Sequence, residues 1–475
     1  MENFANLNLY IPELIIFVGI LVSILLGALY PEKKFHKVNT FSIFTLIISF
    51  GYILFTDLEA GSVADIVYNS YFTNTIKLFI LSVALIILYV SNSYIKNNKL
   101  NLFEYPILLL FTVLGMMLMI SSNDLLLLYV SIELQSLSLY VLVAINRDSI
   151  KSSEASLKYF ILGSIASAII LYGISMIYSV IGSTNYDLIK QFNFTENNKL
   201  LLSFGLILLL SGLAFKLSAA PFHMWTPDVY EGAPSSVTTI LITLPKLSIL
   251  VVLIKILYEP FLYFQDLWQQ IIIIISVLSM LIGSIAALRQ ENIKRLFAFG
   301  TIANIGYVLI GIISISDQGL AASILYMLIY TLATLGVFSF IMMLRRDNTQ
   351  ILNLNGLSGL SQSNSLASIS MVLLLLSLAG IPPFAGFFAK LYIFIAAIEA
   401  GYLFLAILGV IFSVISAFYY LRIIKIMYMD VIEEKPFYDI DKRMQLVLFI
   451  IALIMLFFIF FANDLINFIY NMKII

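Results

Sequence analysis

Long runs of apolar residues, broken by short polar segments, follow one another along almost the whole chain of 475 residues. A helix needs roughly 20 apolar residues to cross a bilayer, and runs of that length predict about fourteen membrane-spanning helices. We therefore expect an all-α polytopic membrane protein, with no loop long enough for a separate soluble domain. The predicted spans are 11–31, 40–56, 71–92, 104–121, 123–145, 155–181, 200–225, 235–258, 268–288, 295–315, 318–343, 366–398, 402–428 and 444–470.

Composition agrees with this pattern and excludes several classes of function. Hydrophobic residues make up 61% of the chain and charged residues 11%, whereas soluble domains carry about 25% charged residues. The absence of cysteine excludes thiolate-held iron–sulfur clusters, disulfides and thiol catalysis. Two histidines, His36 and His223, are too few for a haem or multi-histidine metal site, and no glycine-rich nucleotide motif occurs. We expect this chain to bind no cofactor, metal or nucleic acid.

The basic loop residues predict the orientation of the chain in the membrane. Lysine and arginine concentrate in the loops after odd-numbered spans, such as 289–295, while the opposite side carries only Lys190, Lys199 and Lys473. Because basic loops stay on the cytoplasmic side, this asymmetry indicates an even number of spans with both termini outside. The N-terminus carries Glu2 and no basic region, so we expect the first helix to be retained rather than cleaved.

Few charged residues lie inside the apolar spans, and these are the candidate functional residues. A charge in lipid costs about 2.5–3.5 kcal/mol on insertion scales, so it needs a partner, a water-filled path or a role. Glu133 is predicted to be the one deep carboxylate, because Glu13 and Glu104 lie near helix starts. We interpret Lys77 and Lys255, near span ends, as lysines that snorkel to the interface.

Glu133 shares one helix face with Ser136 and Tyr140, at i, i+3 and i+7. It is either a titratable group that faces the bundle interior and pairs with a lysine, or part of a purely structural ion pair. Lys158 follows Glu154 by four residues, a spacing that supports a helical ion pair. Lys158 therefore either belongs to the same site or snorkels at its helix end.

Lys216 precedes Pro221 by five residues in an otherwise apolar helix. The proline frees backbone carbonyls, which neighbouring protein or water must satisfy. We interpret this stretch as an ion-handling site, with a lysine snorkelling at a helix end as the alternative. His223 titrates near neutral pH, and it either relays protons or caps the broken helix.

Two further lysines lie beside prolines. Lys246 continues a polar stripe with Thr239 and Thr243 through a Leu/Ile-rich helix, and Lys390 follows the paired prolines at 382–383. Snorkelling is the alternative for the first of these lysines, and a kink with a stray lysine for the second. Together with Glu133 and the residues above, they form a set of candidate proton-relay groups.

An internal repeat is indicated by the two proline breaks at 219–223 and 380–384. Each break falls in the fourth helix of a five-helix set, helices 4–8 and helices 9–13, so helices 7 and 12 are predicted to be broken. Interrupted helices at matching positions in two halves are typical of inverted repeats with ion sites near the midplane. The predicted parts are N-terminal helices 1–3, two inverted five-helix repeats and a C-terminal helix, at 1–100, 101–258, 266–428 and 429–475.

The stretches around these residues are similar to the antiporter-like membrane subunits of respiratory complex I, specifically the subunit N family. The matching stretches are ELQSLSLYVLVA around Glu133, EASLKYF around Lys158, FKLSAAPFHMWTPDVYEGAP around Lys216 and His223, PKLSILVVL around Lys246, QENIKRLFAFGTIANIGYVLIG at 290–311 and LAGIPPFAGFFAK around Lys390. They cover helices 4 to 12, and the chain length fits fourteen helices.

The resemblance implies roles for the candidate residues: a pair from Glu133 to Lys216 with Lys158 nearby, a central relay lysine at Lys246 with His223 beside it, and an exit-side lysine at Lys390. Many relatives have histidine where this chain has Asn304, so a relay through that helix would use water or a non-titrating amide. The implied function is proton translocation by a non-redox subunit of a NADH:quinone-reducing translocase. Quinone reduction elsewhere would separate the Glu–Lys pair and release the proton.

The resemblance also implies the setting of this chain. NADH, FMN, iron–sulfur clusters and quinone would be used by other subunits, and the partners would be sister antiporter-like subunits, small membrane subunits, the lipid bilayer and protons. The expected location is the bacterial inner membrane, with the mitochondrial inner membrane as the alternative. Other functions stay open: a subunit of a multisubunit cation/proton antiporter, a membrane arm of a hydrogenase or formate-oxidising complex, or a non-pumping structural subunit.

Overall fold

The computed structural model describes residues 7–29, 34–56, 60–63, 65–194, 196–346, 349–430, 441–472 and 474. Glu2 and Lys473, used above to predict a retained first helix and the orientation, lie outside these described residues, as does most of the predicted connection to the last helix. The described chain is helical almost throughout, which confirms the all-α prediction.

The helices follow the predicted apolar runs. They are α1 (Ile11–Leu29), α2 (Lys34–Phe55), α3 (Tyr71–Asn97), α4 (Glu104–Ser121), α5 (Leu125–Val143), α6 (Ile150–Ile181), α7 (Tyr186–Lys190), α8 (Glu196–Leu217), α9 (Trp225–Gly232), α10 (Ser235–Ile242), α11 (Leu244–Tyr258), α12 (Gln265–Leu288), α13 (Ile293–Ile313), α14 (Asp317–Met343), α15 (Leu360–Ser363), α16 (Ser365–Ala379), α17 (Ala385–Glu399), α18 (Leu403–Met429), α19 (Lys442–Phe457) and α20 (Ala462–Asn471).

Short strands and turns connect some of these helices. Two antiparallel pairs form hairpins, β1 (Gly61–Val63) with β2 (Val67–Asn69) and β3 (Arg345–Arg346) with β4 (Thr349–Gln350). Single 3-10 turns occur at Leu7–Tyr10, Leu262–Phe264, Leu354–Leu357 and Phe458–Phe460. Polar side chains begin several of the helices; Asp124, for example, accepts from the backbone N–H of Leu126 and Leu127 at the start of α5.

Among the described residues, 13 helical segments are long and apolar enough to cross a membrane. This confirms the predicted polytopic membrane protein. The predicted span 366–398 is not among the 13, because the structure divides it into α16 and α17 at the paired prolines. Proline lacks the backbone N–H that would continue a helix, so the predicted break is found at this position.

The first predicted break is also found, and a further one accompanies it. Helix α8 ends at Leu217, and the chain turns through Ser218, whose φ of 67° is left-handed, before α9 begins at Trp225. The predicted span 235–258 is interrupted at Thr243, so that Pro245 occupies the first turn of α11. A proline is tolerated there because the first turn of a helix leaves its N–H groups unpaired anyway.

The described residues form two compact units. Unit 1 comprises those of Met1–Leu217 and Ser248–Trp268, and unit 2 those of Ser218–Leu247 and Gln269–Ile474. This division rests on compactness, whereas the boundaries predicted above rest on repetition, so the inverted repeats stay a prediction. Within unit 1, α6 and α8 approach closely at Gly173 and Gly205: a Cβ at Gly173 would lie 2.7 Å from the carbonyl oxygen of Gly205.

Candidate functional site

In unit 1, Lys216 lies in the last turn of α8 and is 7% exposed. Its Nζ donates to Ser136 Oγ on α5 at 2.8 Å and to Ser167 Oγ on α6 at 3.3 Å. The hydroxyl of Tyr140, also on α5, lies 3.4 Å from the same nitrogen. Two neighbouring helices therefore direct three hydroxyl oxygens at one buried ammonium group, which compensates part of its lost hydration.

Glu133 is linked to this lysine through Ser167. The serine hydroxyl donates to Glu133 Oε1 and its oxygen accepts from Lys216 Nζ. Glu133 itself is half-buried on α5, on the helix face that also carries Ser136. The structure thus brings together the carboxylate and lysine that the sequence singled out, with a serine that sequence analysis missed because a neutral hydroxyl in a helix carries no distinguishing signal.

Lys158 lies on a partly exposed face of α6. Its Nζ is 2.8 Å from Glu154 Oε1, and the side chains are 42% and 60% exposed, respectively. The helical spacing correctly indicated this ion pair. Exposed pairs of this kind contribute little to stability, and the relay role of Lys158 stays a prediction.

In unit 2, Lys246 is 1% exposed and its Nζ donates to Ser218 Oγ. The same nitrogen lies 4.9 Å from the ring centroid of Trp225, at the start of α9. Both partners come from the segment around the first helix break, so the break positions a hydroxyl and an aromatic face around the lysine. Cation–π contacts of this kind stabilise a desolvated ammonium group.

His223 lies in the turn between α8 and α9 and is 6% exposed. Its carbonyl oxygen accepts from the N–H of Thr226 at 2.9 Å, so its backbone helps to start α9. Its side-chain Nδ1 is buried and, among the described residues, has no hydrogen-bond partner. The backbone of His223 therefore contributes to the start of α9, and the relay role of its side chain stays a prediction.

Lys390, on α17, lies against the end of the other broken helix. Its Nζ donates to the carbonyl oxygen of Ala379 at 2.9 Å, and the carbonyl oxygen of Leu378 is 3.4 Å away. Ser413 Oγ on α18 is 2.8 Å away, and the ring centroid of Tyr307 is 5.0 Å away. The last carbonyls of a helix have no intrahelical partner and carry the negative end of its dipole, so they favour a cation.

Asn304, where the family resemblance leads us to expect histidine, is held by two hydrogen bonds. Its Nδ2 donates to the carbonyl oxygen of Gly300 at 2.7 Å, and its Oδ1 accepts from the hydroxyl of Tyr326 at 2.5 Å. A small cavity is lined by Asn304, Tyr326, Tyr330 and residues of α16 and α17. This side chain therefore contributes a fixed dipole at this small cavity.

Comparison with known proteins places the chain in a family. Residues 122–416 match the family described as NADH:quinone oxidoreductase/Mrp antiporter, transmembrane. The chain belongs to this family. It is 44% identical to NADH-quinone oxidoreductase subunit N of Pelagibacter ubique over 462 residues, covering 96% of this chain and 97% of that protein. It is likewise 44% identical to subunit N 1 of Rhizobium meliloti over 427 residues, covering 90% of this chain and 89% of the relative.

Solved structures agree with this assignment. A chain of respiratory complex I from Thermus thermophilus matches with a TM-score of 0.82 at 28% identity, covering 96% of this chain and 98% of that chain. A chain of the Mrp complex from Dietzia matches with a TM-score of 0.83 at 21% identity, covering 97% of this chain and 96% of that chain, which shows a shared fold. The predicted resemblance to the complex I subunits is confirmed, and the chain is an antiporter-like membrane subunit.

The matched family region contains all six predicted relay residues and the hydroxyls that surround them. No group of three or more His, Cys, Asp or Glu side chains that could hold a metal occurs within the described ranges. The hydroxyl partners Ser167, Ser218 and Ser413 are the additions that the structure makes to the predicted set.

Three predictions outside this set were wrong. Lys77 is fully buried and pairs with Glu13 Oε1 at 2.7 Å, so it does not snorkel. Glu13 is also buried, so Glu133 is not the one deep carboxylate of this antiporter-family chain. Lys255 is 9% exposed, and its Nζ donates to the carbonyl oxygen of Ser122 at 2.7 Å. Proximity to a span end misled us in all three cases, because other parts of unit 1 cover that end of the helices.

Proposed function

We propose that this chain translocates protons as a membrane-arm subunit of a NADH–quinone oxidoreductase and performs no redox chemistry itself. The observation that carries the proposal is the buried contact of Lys216 with Ser167, which also binds Glu133. A lysine in lipid is costly, and a carboxylate joined to it through one exchangeable hydroxyl is suited to proton transfer. The NADH, FMN, iron–sulfur and quinone chemistry then belongs to other subunits.

In the proposed cycle, the link through Ser167 is made and broken. While Glu133 is close, its negative charge stabilises the protonated form of Lys216. When a conformational change driven by quinone reduction elsewhere separates them, desolvation favours the neutral amine and the proton leaves. A hydroxyl that accepts from the lysine and donates to the carboxylate supplies the hydrogen-bonded route between them.

The lysines of unit 2 are proposed to act in the same way. Lys246 and Lys390 are each held by a serine hydroxyl and an aromatic face, and Lys390 also by helix-terminal carbonyls. These hydroxyl, aromatic and carbonyl groups are all neutral, and each stabilises the ammonium form. His223 would serve as an additional proton carrier, and Lys390 as the exit-side group.

The proposal is tested with Lys216→Ala and Glu133→Gln in membrane vesicles that contain the assembled complex. Proton uptake and NADH-driven quinone reduction are measured in the same preparation, with Lys425→Ala as the control because Lys425 is 66% exposed. We expect both test variants to lower proton uptake severely and the control to match the wild-type protein. Wild-type values of uptake and reduction in both test variants would overturn the proposal.

A second candidate function is that of a subunit in a multisubunit cation/proton antiporter. The family description includes Mrp antiporters, and the fold is shared with the Mrp complex. Migration on a native gel separates the two functions. Co-migration with flavin and iron–sulfur subunits favours the oxidoreductase, and sodium-dependent exchange without such subunits favours the antiporter. We favour the oxidoreductase, because the relatives at 44% identity carry that name.

We further propose that the chain lies in the inner membrane of a bacterium with both termini on the outer side. The bacterial source of the relatives supports the location. The basic loop residues support the orientation. The partners would be the sister antiporter-like subunits and the small membrane subunits of the same complex.

A further inference from the structure

A second buried ion pair lies in unit 1, outside residues 122–416, which match the family description. Glu13 on α1 and Lys77 on α3 are joined by 2.7 Å between Oε1 and Nζ, and their side chains are 5% and 0% exposed. The family match begins only at residue 122. The residues assigned above to proton translocation do not include either member of this pair.

Lys77 is further held by Asn69, the last residue of β2. Lys77 Nζ donates to Asn69 Oδ1 at 2.6 Å, and Ser121 Oγ at the end of α4 donates to the same oxygen at 2.9 Å. The amide nitrogen of Asn69 donates to the carbonyl oxygen of Leu9 at 2.8 Å, which fixes the orientation of the side chain. The lysine is therefore held by Glu13 and by an asparagine that two further hydrogen bonds fix in place.

The carboxylate of Glu13 has fewer hydrogen-bond partners than the ammonium group of Lys77. Its Oε2 is buried and has no hydrogen-bond partner in the part of the chain that the structure describes. Replacing a buried ion pair by apolar residues is often neutral or stabilising, and a half-satisfied polar network is worse than an apolar core. Stability alone is thus a poor reason for this pair, and the open oxygen can accept a proton.

A route of increasing exposure leads away from the pair. Lys255 donates to the carbonyl oxygen of Ser122, next to Ser121, and its Nζ lies 5.6 Å from the ring centroid of Tyr68, next to Asn69. One turn further along the chain, Glu259 is half-buried beyond the end of α11. Burial raises the pKa of Glu259, while the nearby Lys255 opposes that shift.

We propose that Glu13 and Lys77 form a second proton-exchange site in unit 1, which exchanges protons with the aqueous surface by way of Lys255 and Glu259. The inference rests on the proposed function, because it adds a proton route to the same subunit. Other titratable groups also face this array: Tyr10 lies against Glu13, Tyr68 and Tyr186 against Lys255, Asp187 against Lys255 and Glu259, and Lys190 against Glu259.

The transfer steps balance in protons and charge. A proton arriving from the interior forms an O–H bond on Glu13, and Lys77 then loses an N–H proton through water to the amine of Lys255. Glu13 returns its proton to Lys77, which restores the ion pair. Lys255 passes its proton to the carboxylate of Glu259, which releases it to bulk water, so one proton crosses the array in each cycle.

The test is Glu13→Gln in the assembled complex, with the ratio of protons translocated to NADH oxidised as the readout. Glutamine keeps the size and hydrogen-bonding capacity of the side chain but cannot exchange a proton. The matched control is Glu104→Gln, the same change at a half-buried carboxylate at the start of α4. We expect Glu13→Gln to lower the ratio at least twofold and the control to leave it unchanged; a wild-type ratio in Glu13→Gln overturns the inference.

Lys216→Ala, measured beside these variants, separates the two proposals. A reduced ratio in Lys216→Ala with a wild-type ratio in Glu13→Gln refutes only the second site. A reduced ratio in Glu13→Gln alone supports the second site and refutes the assignment of Lys216. If Glu13→Gln does not assemble, carbodiimide labelling of the wild-type complex decides, because carbodiimides modify protonated carboxyl groups: an adduct on Glu13 during turnover supports the site, and its absence refutes it.

Discussion

Lys390 Nζ lies 2.9 Å from the carbonyl oxygen of Ala379, the residue at which α16 ends. The broken helix thus provides the lysine with acceptors that a continuous helix would have consumed in its own hydrogen bonds. The role proposed for Lys390 requires its ammonium group to be held in place and yet to be able to release its proton.

Lys390→Arg separates these two requirements. Arginine keeps the positive charge at the helix end, a contact worth about 0.3–1 kcal/mol in exposed settings and more when buried, but it does not lose its proton in proteins. We expect the variant complex to assemble and its proton uptake to fall severely. Lys390→Met should lower proton uptake as well and also reduce the thermal stability of the complex. Normal proton uptake by Lys390→Arg would contradict an exit role.

Gly380→Ala tests the same contact from the backbone side. Gly380 has a φ of 82°, and a Cβ there would lie 2.8 Å from Lys390 Cδ. Gly401→Ala is a matched control, because Gly401 has a φ of 87° and a Cβ there would meet nothing within 4 Å. Both variants bear the cost of a left-handed non-glycine residue, about 1–2 kcal/mol.

We expect both glycine variants to lower the unfolding temperature, and only Gly380→Ala to lower proton uptake per NADH oxidised. Thermal unfolding and vesicle uptake assays measure the two effects separately. Equal uptake by the two variants would show that displacing Lys390 is without consequence.

The helices and most of the charged centres could be predicted from the sequence because each has a local signal. Apolar length determines a span, and a lysine such as Lys216 is conspicuous in an apolar run. Periodicity also placed Ser136 correctly on the face of Glu133, and the structure shows that Ser136 binds Lys216. The inference about Ser136 depends only on helical periodicity. The inference about Lys216 depends only on a residue type that is rare in apolar spans.

The remaining features depend on which helices meet. Ser167 is one of many helical serines, and nothing in its own segment indicates that it contacts Glu133. The error at Lys77 has the same origin, because Asn69 and Glu13 are brought to it by other segments of the chain. Distance from a span end is a fair guide to exposure only when no loop or neighbouring helix covers that end.

Ser167→Ala is predicted to weaken the link between Glu133 and Lys216 without removing either charge. A hydrogen bond to a charged group contributes about 1.5–3 kcal/mol, so the loss is large enough to change a proton-transfer equilibrium tenfold. We expect a marked fall in proton uptake, measured in vesicles against quinone reduction. Ser167→Thr keeps the hydroxyl and should retain most of the uptake; identical uptake by both variants would exclude a role for the hydroxyl.

Glu259 provides a prediction about pH, because burial raises its pKa in the folded protein. Between its ordinary pKa and the raised value, the folded state binds more protons than the unfolded state, so stability falls as the pH rises through that window. Glu259→Gln cannot ionise and should lose this part of the pH dependence. Thermal unfolding of the purified complex as a function of pH is the measurement. We expect the variant to match the wild-type protein in acid and to exceed it above the window, whereas parallel curves would show that Glu259 is fully compensated by Lys255.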